Sequence, residues 1–206
     1  MKRKKILALL FCTVLSISML ATGCSEGKNS PTPSDKPAQS ENGSNTSTGT
    51  AAELGRMKSF TAQALDGGSF TQEDIAAKDV TIVNYWSLLC GPCIEEMPDI
   101  AAFEKALPDN VRLVTVCLDG TDAEDDVKRI LSEAGYEGTT LLYGDGDYLD
   151  VWNNIQYTPT TVLVDAEGNL VGDAIIGGQE DLSGTFLTAV NAALKANGKA
   201  EISLEK

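Results

Sequence analysis

Histidine does not occur among the 206 residues. Its absence excludes a Ser/His/Asp or Cys/His hydrolase in the usual form, because both use an imidazole to take the proton of the nucleophile, and it excludes a histidine-ligated metal. Positive charge is scarce as well: 16 Lys and Arg stand against 30 Asp and Glu, for a formal charge of −14. Such a surface disfavours nucleic acid as a partner and argues against adhesion to anionic lipid through basic patches. The apolar run from Ile6 to Ala21 has 16 residues, short of the ~20 that span a bilayer comfortably. The acidic stretches Asp119 to Asp126 and Asp145 to Asp150 lack the Asp spacing and the following glycine and glutamate that a calcium loop requires. They read as helix N-terminal and loop carboxylates.

At the start of the chain, Lys2, Arg3, Lys4 and Lys5 precede the apolar run, which closes on Thr22, Gly23 and Cys24. This is the pattern of an export signal. The segment Ala21, Thr22, Gly23, Cys24 resembles the lipobox of bacterial lipoproteins, with Leu20 four places before the cysteine instead of a large aliphatic residue three before it. The resemblance implies cleavage before Cys24 and lipidation of that residue. A plain secretory signal and an uncleaved anchor are the other readings. With residues 1–23 removed, 12 Lys and Arg face 30 Asp and Glu, a formal charge of −18. Residues 24–55 are rich in Ser, Thr, Asn, Gly and Pro and nearly free of large apolar side chains. They are expected to form a disordered tether, with a reach of roughly 30 Å, since too little apolar surface is available to offset the entropy of ordering.

Residues 56–206 are long enough for one well-buried core. Lys58 to Leu65 and Ser69 to Phe70 flank the turn Asp66, Gly67, Gly68 and read as a hairpin; Val80 to Ser87 reads as a buried strand and Pro92 to Leu107 as a helix. A second apolar strand follows at Val111 to Leu118, then a helix from Asp122 to Ala134 stopped by Gly135. Thr139 to Tyr143 forms a short strand and Asp147 to Asn153 a short helix. Thr160 to Asp165 and Leu170 to Ile176 form a hairpin around Ala166 to Asn169, and Glu180 to Lys195 is a closing helix. Strands alternating with helices imply an α/β domain, a central mixed β-sheet flanked by helices on both faces.

The chemistry concentrates at Cys90, Gly91, Pro92 and Cys93, between the buried strand and its helix. Free N–H groups and the positive dipole end at a helix start favour the thiolate of the first cysteine, the reactive form. Pro92 suits the first turn, where its missing N–H costs nothing. A structural zinc site needs four ligands, and only Cys117 could join the pair. A purely structural disulfide would close a tiny loop and stabilise little. Beyond Cys93, the positions Glu96, Ile100, Phe103 and Leu107 share one helical face. Glu96 is the polar exception there, and desolvation would raise its pKa toward neutrality, making it a candidate proton acceptor; the other reading has it reach solvent beside Pro98. Glu95 lies off this face. Pro98 is expected to kink the helix. Cys117, in an apolar strand, reads as a buried inert thiol, and Cys12 leaves with the signal.

Val83, Asn84, Tyr85 and Trp86 before the cysteine pair, Glu96, Met97 and Pro98 after it, and Thr158, Pro159 and Thr160 downstream resemble the thioredoxin superfamily. Within it they are most similar to the membrane-tethered TlpA/ResA-type thiol–disulfide oxidoreductases, over about residues 57–195. The resemblance implies a thioredoxin-like fold and the absence of any cofactor other than the redox-active Cys90–Cys93 disulfide. It implies that Cys90 attacks as the exposed thiolate, Cys93 resolves, and Glu96 is the active-site acid. Gly91, Pro92, Thr158, a cis Pro159 and Trp86 would meet the substrate, although Trp86 reads equally well as core. Asn84 stands where thioredoxin proper has a buried aspartate, and Leu89 where a tryptophan is frequent. By resemblance the activity is reduction of disulfides in exported proteins, with cytochrome c maturation as one such role and a CcdA-type membrane thiol protein as electron donor. An oxidising or peroxidase-like enzyme and a non-catalytic anchored peptide-binding module are the alternatives. The implied location is extracytoplasmic, on the bacterial cell membrane.

Overall fold

The computed structural model describes residues 50–204. The expected signal (1–23), Cys24 with its expected lipidation, and most of the expected tether lie outside the described residues. Among the described residues, no helix is long and apolar enough to cross a membrane.

Seven strands form one mixed sheet. They are β1 (Thr61–Ala64), β2 (Ser69–Thr71), β3 (Val80–Trp86), β4 (Val111–Cys117), β5 (Thr139–Gly144), β6 (Thr160–Asp165) and β7 (Leu170–Ile176), in spatial order β2-β1-β5-β4-β3-β6-β7. β3, β4 and β5 run parallel, while β6 is antiparallel to β3, β7 to β6, and β1 to both β5 and β2. All seven residues of β3 are buried, the polar Thr81 and Asn84 included, as a central strand covered on both faces should be.

Side-chain alternation along β3 sends Ile82 and Trp86 to one face and Val83 and Tyr85 to the other. The first face packs under α2 (Gly91–Lys105), α3 (Glu124–Ala134) and α5 (Leu182–Ala196), through side chains such as Phe103, Ile130 and Phe186. The second is covered by α1 (Gln72–Ala76) and α4 (Gly146–Asn154), through Ile75, Tyr148 and Val151. Each helix end has a local cause. Thr71 and Asp74 form a capping box at α1. Asp181 accepts the Gly184 N–H at the start of α5, 3.0 Å, and Gly135 ends α3 in the left-handed conformation at φ 72°. The β6–β7 turn is closed by Asp165, whose carboxylate accepts the Asn169 N–H at 2.8 Å. Gly168 in that turn has φ +79°, and a side chain there would run into the Met57 carbonyl.

Three segments depart from the sequence expectation. Ala51–Leu54, placed in the tether, forms a 3-10 helix with Ala51 fully buried. Thr50 makes a bridge to Asp173 of β7, and Arg56 one to Asn169 just before it. This edge strand has open hydrogen-bonding groups, and the segment before the domain covers them. The first hairpin strand begins at Thr61 rather than Lys58. Ahead of it, the Lys58 and Ser59 N–H groups donate to Asp147 (2.9 and 3.0 Å) and that of Thr61 to Asp145 (2.8 Å), so carboxylates replace a strand partner. Helix α1 was not foreseen because five residues are too few to show a helical period. The α2 helix runs through Pro98, which lies on its exposed side.

Candidate active site

The site is built where β3 ends. The Trp86 carbonyl accepts the Leu118 N–H at 2.9 Å, and the chain then leaves the sheet through Ser87, Leu88 and Leu89. Asp119, just beyond the parallel neighbour β4, holds that loop: its carboxylate accepts the Ser87 hydroxyl and the Leu88 N–H, each at 2.9 Å. The Ser87 carbonyl then accepts the Cys90 N–H at 3.1 Å. Helix α2 therefore starts at a defined place, with Cys90 as its N-cap residue.

Cys90 and Cys93 form a disulfide, with their Cα atoms 5.3 Å apart. The Cys90 sulfur accepts the Cys93 N–H at 3.3 Å, so it occupies the position of a capping side chain among the free N–H groups of the first turn. Negative charge on this sulfur is stabilised there. The two sulfurs differ in access: Cys90 is 9% exposed and Cys93 1%. Cys90 is thus nearly enclosed in the disulfide form, although it remains the more accessible of the two. Gly91 and Pro92 are exposed beside it, and Leu89 is 93% exposed.

Behind the disulfide, Glu96 lies on the buried face of α2 with 8% exposure. Burial pushes its carboxyl up to about 7; the nearby Asp99 charge pushes the same way, while the Gln179 backbone and the Asn84 side chain pull it down. Its Oε2 has no hydrogen-bond partner. Such a group exchanges a proton near neutral pH, which a thiol becoming a disulfide must lose.

The third wall comes from β6 and β7. The Thr158–Pro159 bond is cis, Pro159 is buried and Thr158 half-buried. The Pro159 carbonyl accepts the Gly177 N–H at 2.8 Å. A Cβ on the next residue, Gly178, would stand 3.6 Å from both the Pro92 ring and Glu96 Oε2. Pro159, the 177–179 loop, Pro92 and Glu96 therefore converge on the first turn of α2. Tyr157, two residues before Pro159, is 66% exposed.

Trp86 requires a correction. It is fully buried in the cluster containing both cysteines. A side chain with no exposed surface cannot touch a docked substrate, so Trp86 supports the disulfide from below. Cys117 is a free, buried thiol 3.5 Å from Asp119, and burial pushes it up to about 12. It is poorly reactive as it stands.

Sequence reasoning missed Asp119 and the Gly178–Gln179 loop as parts of the site. Asp119 had an available signal, since it follows the end of one parallel strand as the Cys90 loop follows the end of its neighbour.

The Redoxin family matches residues 52–185, more than half of the chain. This chain belongs to the Redoxin family. It is 29% identical over 119 residues to the thioredoxin-like protein YneN of Bacillus subtilis, covering 57% of this chain and 68% of that protein. Thiol-disulfide oxidoreductase ResA of Bacillus thuringiensis is 28% identical over 128 residues, covering 61% of this chain and 71% of the relative. Among solved structures, the thioredoxin domain of a thiol-disulfide oxidoreductase from Bacteroides vulgatus superposes with a TM-score of 0.53 at 27% identity, over 66% of this chain and 97% of that one. The seven-stranded sheet and its helices are thus a thioredoxin-like fold, and this Redoxin is a thiol–disulfide oxidoreductase in class, with TlpA/ResA-type relatives.

Proposed function

We propose that this Redoxin is a protein-disulfide reductase acting outside the cytoplasm, anchored to the bacterial cell membrane through lipid on Cys24. The observation that carries the catalytic part is the placement of the Cys90 sulfur as the cap of α2, with the less accessible Cys93 and the buried Glu96 behind it. The export signal and lipobox-like segment support the location.

In the reducing direction, the Cys90 thiolate attacks one sulfur of a substrate disulfide. A mixed disulfide forms, and the other substrate sulfur leaves as a thiolate that takes a proton from water. The Cys93 thiol then gives its proton to the Glu96 carboxylate and attacks the Cys90 sulfur. The Cys90–Cys93 disulfide closes, and the second substrate sulfur leaves and is protonated. Two electrons pass from the Cys90–Cys93 pair to the substrate, whose two sulfurs take their protons from solvent while the Cys93 proton rests on Glu96. The exposed Leu89, Gly91, Pro92 and Tyr157 offer a surface for an extended polypeptide, with the Thr158 backbone beside it. Exported proteins carrying disulfides are the substrate class, and cytochrome c maturation is one setting. Outside the cytosol the spent disulfide needs a membrane thiol donor of the CcdA type to reduce it again.

Insulin-disulfide reduction tests the activity: the parent is expected to reduce insulin and Cys90→Ser to lose this ability. Equal rates would refute an enzymatic role and favour a peptide-binding module. The reduction potential of the pair tests the direction. A value near or below roughly −270 mV supports a reductase, whereas one near −120 mV would mean that the protein makes disulfides instead.

A further inference from the structure

Tyr157 and Ile176 stand on the two segments that form the third wall of the redox site, and both also line an apolar pocket that has no part in the electron transfer. The pocket, of about 160 Å³, lies between the 3-10 helix (Ala51–Leu54), the loop from α4 to β6, and β7; its apolar walls are Leu54, Ile155, Tyr157, Ala174 and Ile176. Its parts are tied together. Asn154 Nδ2 donates to the Leu54 carbonyl at 3.0 Å, and the Thr160 hydroxyl donates to the Tyr157 carbonyl at 2.8 Å. Thr50 is bridged to Asp173 of β7.

Two stretches of chain run from this pocket to the disulfide. Ile176 pairs with Thr160, and two residues beyond Ile176 a Cβ on Gly178 would stand 3.6 Å from the Pro92 ring and Glu96 Oε2. Tyr157 directly precedes the cis Thr158–Pro159 bond. Two residues of extended chain cover about 7 Å, so a polypeptide docked over Cys90 and the Thr158 backbone reaches the pocket within a few residues of its own cysteine. The exposed large apolar side chains among the described residues are Leu89, Tyr143 and Tyr157. Leu89 adjoins Cys90 and Tyr157 adjoins the cis bond, as expected where a partner docks. The segment leading into the domain offers nothing to fill the pocket: from Ser25 to Gly49 its side chains are polar or small, apart from Pro31, Pro33 and Pro37.

We propose that this pocket is a substrate subsite, which takes one large apolar side chain of the extended polypeptide close to the cysteine under attack. An apolar cavity of about 150 Å³ takes up a molecule the size of benzene, so a side chain between leucine and phenylalanine in size fits. Main-chain contacts at Thr158 are indifferent to sequence, whereas a side-chain pocket beside them discriminates. Leu54, Ile155, Tyr157 and Ile176 are then specificity-determining residues, and the segment ahead of the domain is part of the recognition surface. Cysteines in apolar segments are buried once a protein has folded. The preferred substrates are therefore exported polypeptides that have not yet folded.

This inference rests on the reductase reading for its substrate, but the two can fail separately. The probes are disulfide-linked dimers of a Ser/Gly peptide with a single cysteine, carrying one leucine moved stepwise along either side of it, or none. The full chain is expected to reduce the leucine peptide, at one position, with kcat/KM about tenfold above the peptide without leucine, the gain lying in KM. Leu54→Ser should bring the ratio of the two peptides close to one. A parent that reduces all the peptides equally, or a folded Leu54→Ser protein that keeps the parent ratio, overturns the proposal and leaves the reductase reading intact. A binding measurement needs neither turnover nor a variant. The oxidised full chain, labelled at its Ile and Leu methyl groups, is titrated by NMR with the same peptides carrying Ser in place of Cys. The Leu54, Ile155 and Ile176 signals are expected to shift with the leucine peptide and not with the other, and unmoved signals overturn the proposal. Shifts in a protein that reduces neither these peptides nor insulin would refute the reductase reading alone and support the pocket as a site for an apolar side chain.

Discussion

Replacing Glu96 by Gln should make the oxidised protein more stable above neutral pH while slowing its chemistry. Glu96 titrates near 4.5 when exposed and at about 7 in the fold, with burial as the main cause. A folded-state value above the unfolded one means that the native state prefers the proton. The stability associated with Glu96 is fully present below about pH 4.5, falls as pH rises toward 7, and is gone above that. At about 1.4 kcal/mol per pH unit, this interval corresponds to about 3 kcal/mol, an upper figure because the carboxyl keeps some contact with water. Gln fills nearly the same volume and carries no charge at any pH. Urea unfolding of oxidised parent and Glu96→Gln, compared from pH 4 to pH 9, isolates this contribution, because all other titrating groups are common to both. The difference in unfolding free energy should move by about 2–3 kcal/mol in favour of Gln between pH 4.5 and 7 and be flat beyond. Curves that stay parallel across that window would refute the assignment of Glu96 as a buried group that ionises near neutrality.

Other outcomes follow from the same contacts. Asp119→Ala removes the acceptor of the Ser87 hydroxyl and the Leu88 N–H. It should lower stability in urea by roughly 1–2 kcal/mol and speed hydrogen exchange at the Leu88 amide, and unchanged exchange there would mean that the loop is held by other contacts. Ala51 is completely enclosed although it precedes the expected domain. Ala51→Glu should therefore destabilise the full chain by about 2 kcal/mol or more, whereas a neutral effect on the melting temperature would return this residue to the tether.

The legible part of this protein is the part whose signals are local. The run Val80 to Trp86, the Cys90-Gly91-Pro92-Cys93 turn and the spacing that puts Glu96 one turn beyond Cys93 each carry their meaning within a few residues. Helical and strand periods convert such spacing directly into faces. The mixed sheet, the helix start at the cysteine pair and an acid on the buried face of α2 could therefore be read without coordinates. Gly135 and the Ala166 to Asn169 turn marked boundaries for the same reason.

What needed the tertiary structure were contacts between residues far apart in the chain. Asp119 looked like one carboxylate in an acidic stretch, and only the parallel pairing of β3 with β4 brings it under the Cys90 loop. Trp86 could have been core or substrate surface, and only the packing of α2 over the β3 face shows that it is enclosed. Ala51 sits in a composition typical of a tether and is nevertheless folded, because an open strand edge at β7 accepts the segment. Asn84 and Thr161 are 77 residues apart, and the antiparallel register of β3 and β6 alone sets them face to face. Composition and periodicity report which surface a residue turns to the interior, whereas the partner it meets there is decided by strand order and register, which are properties of the whole chain.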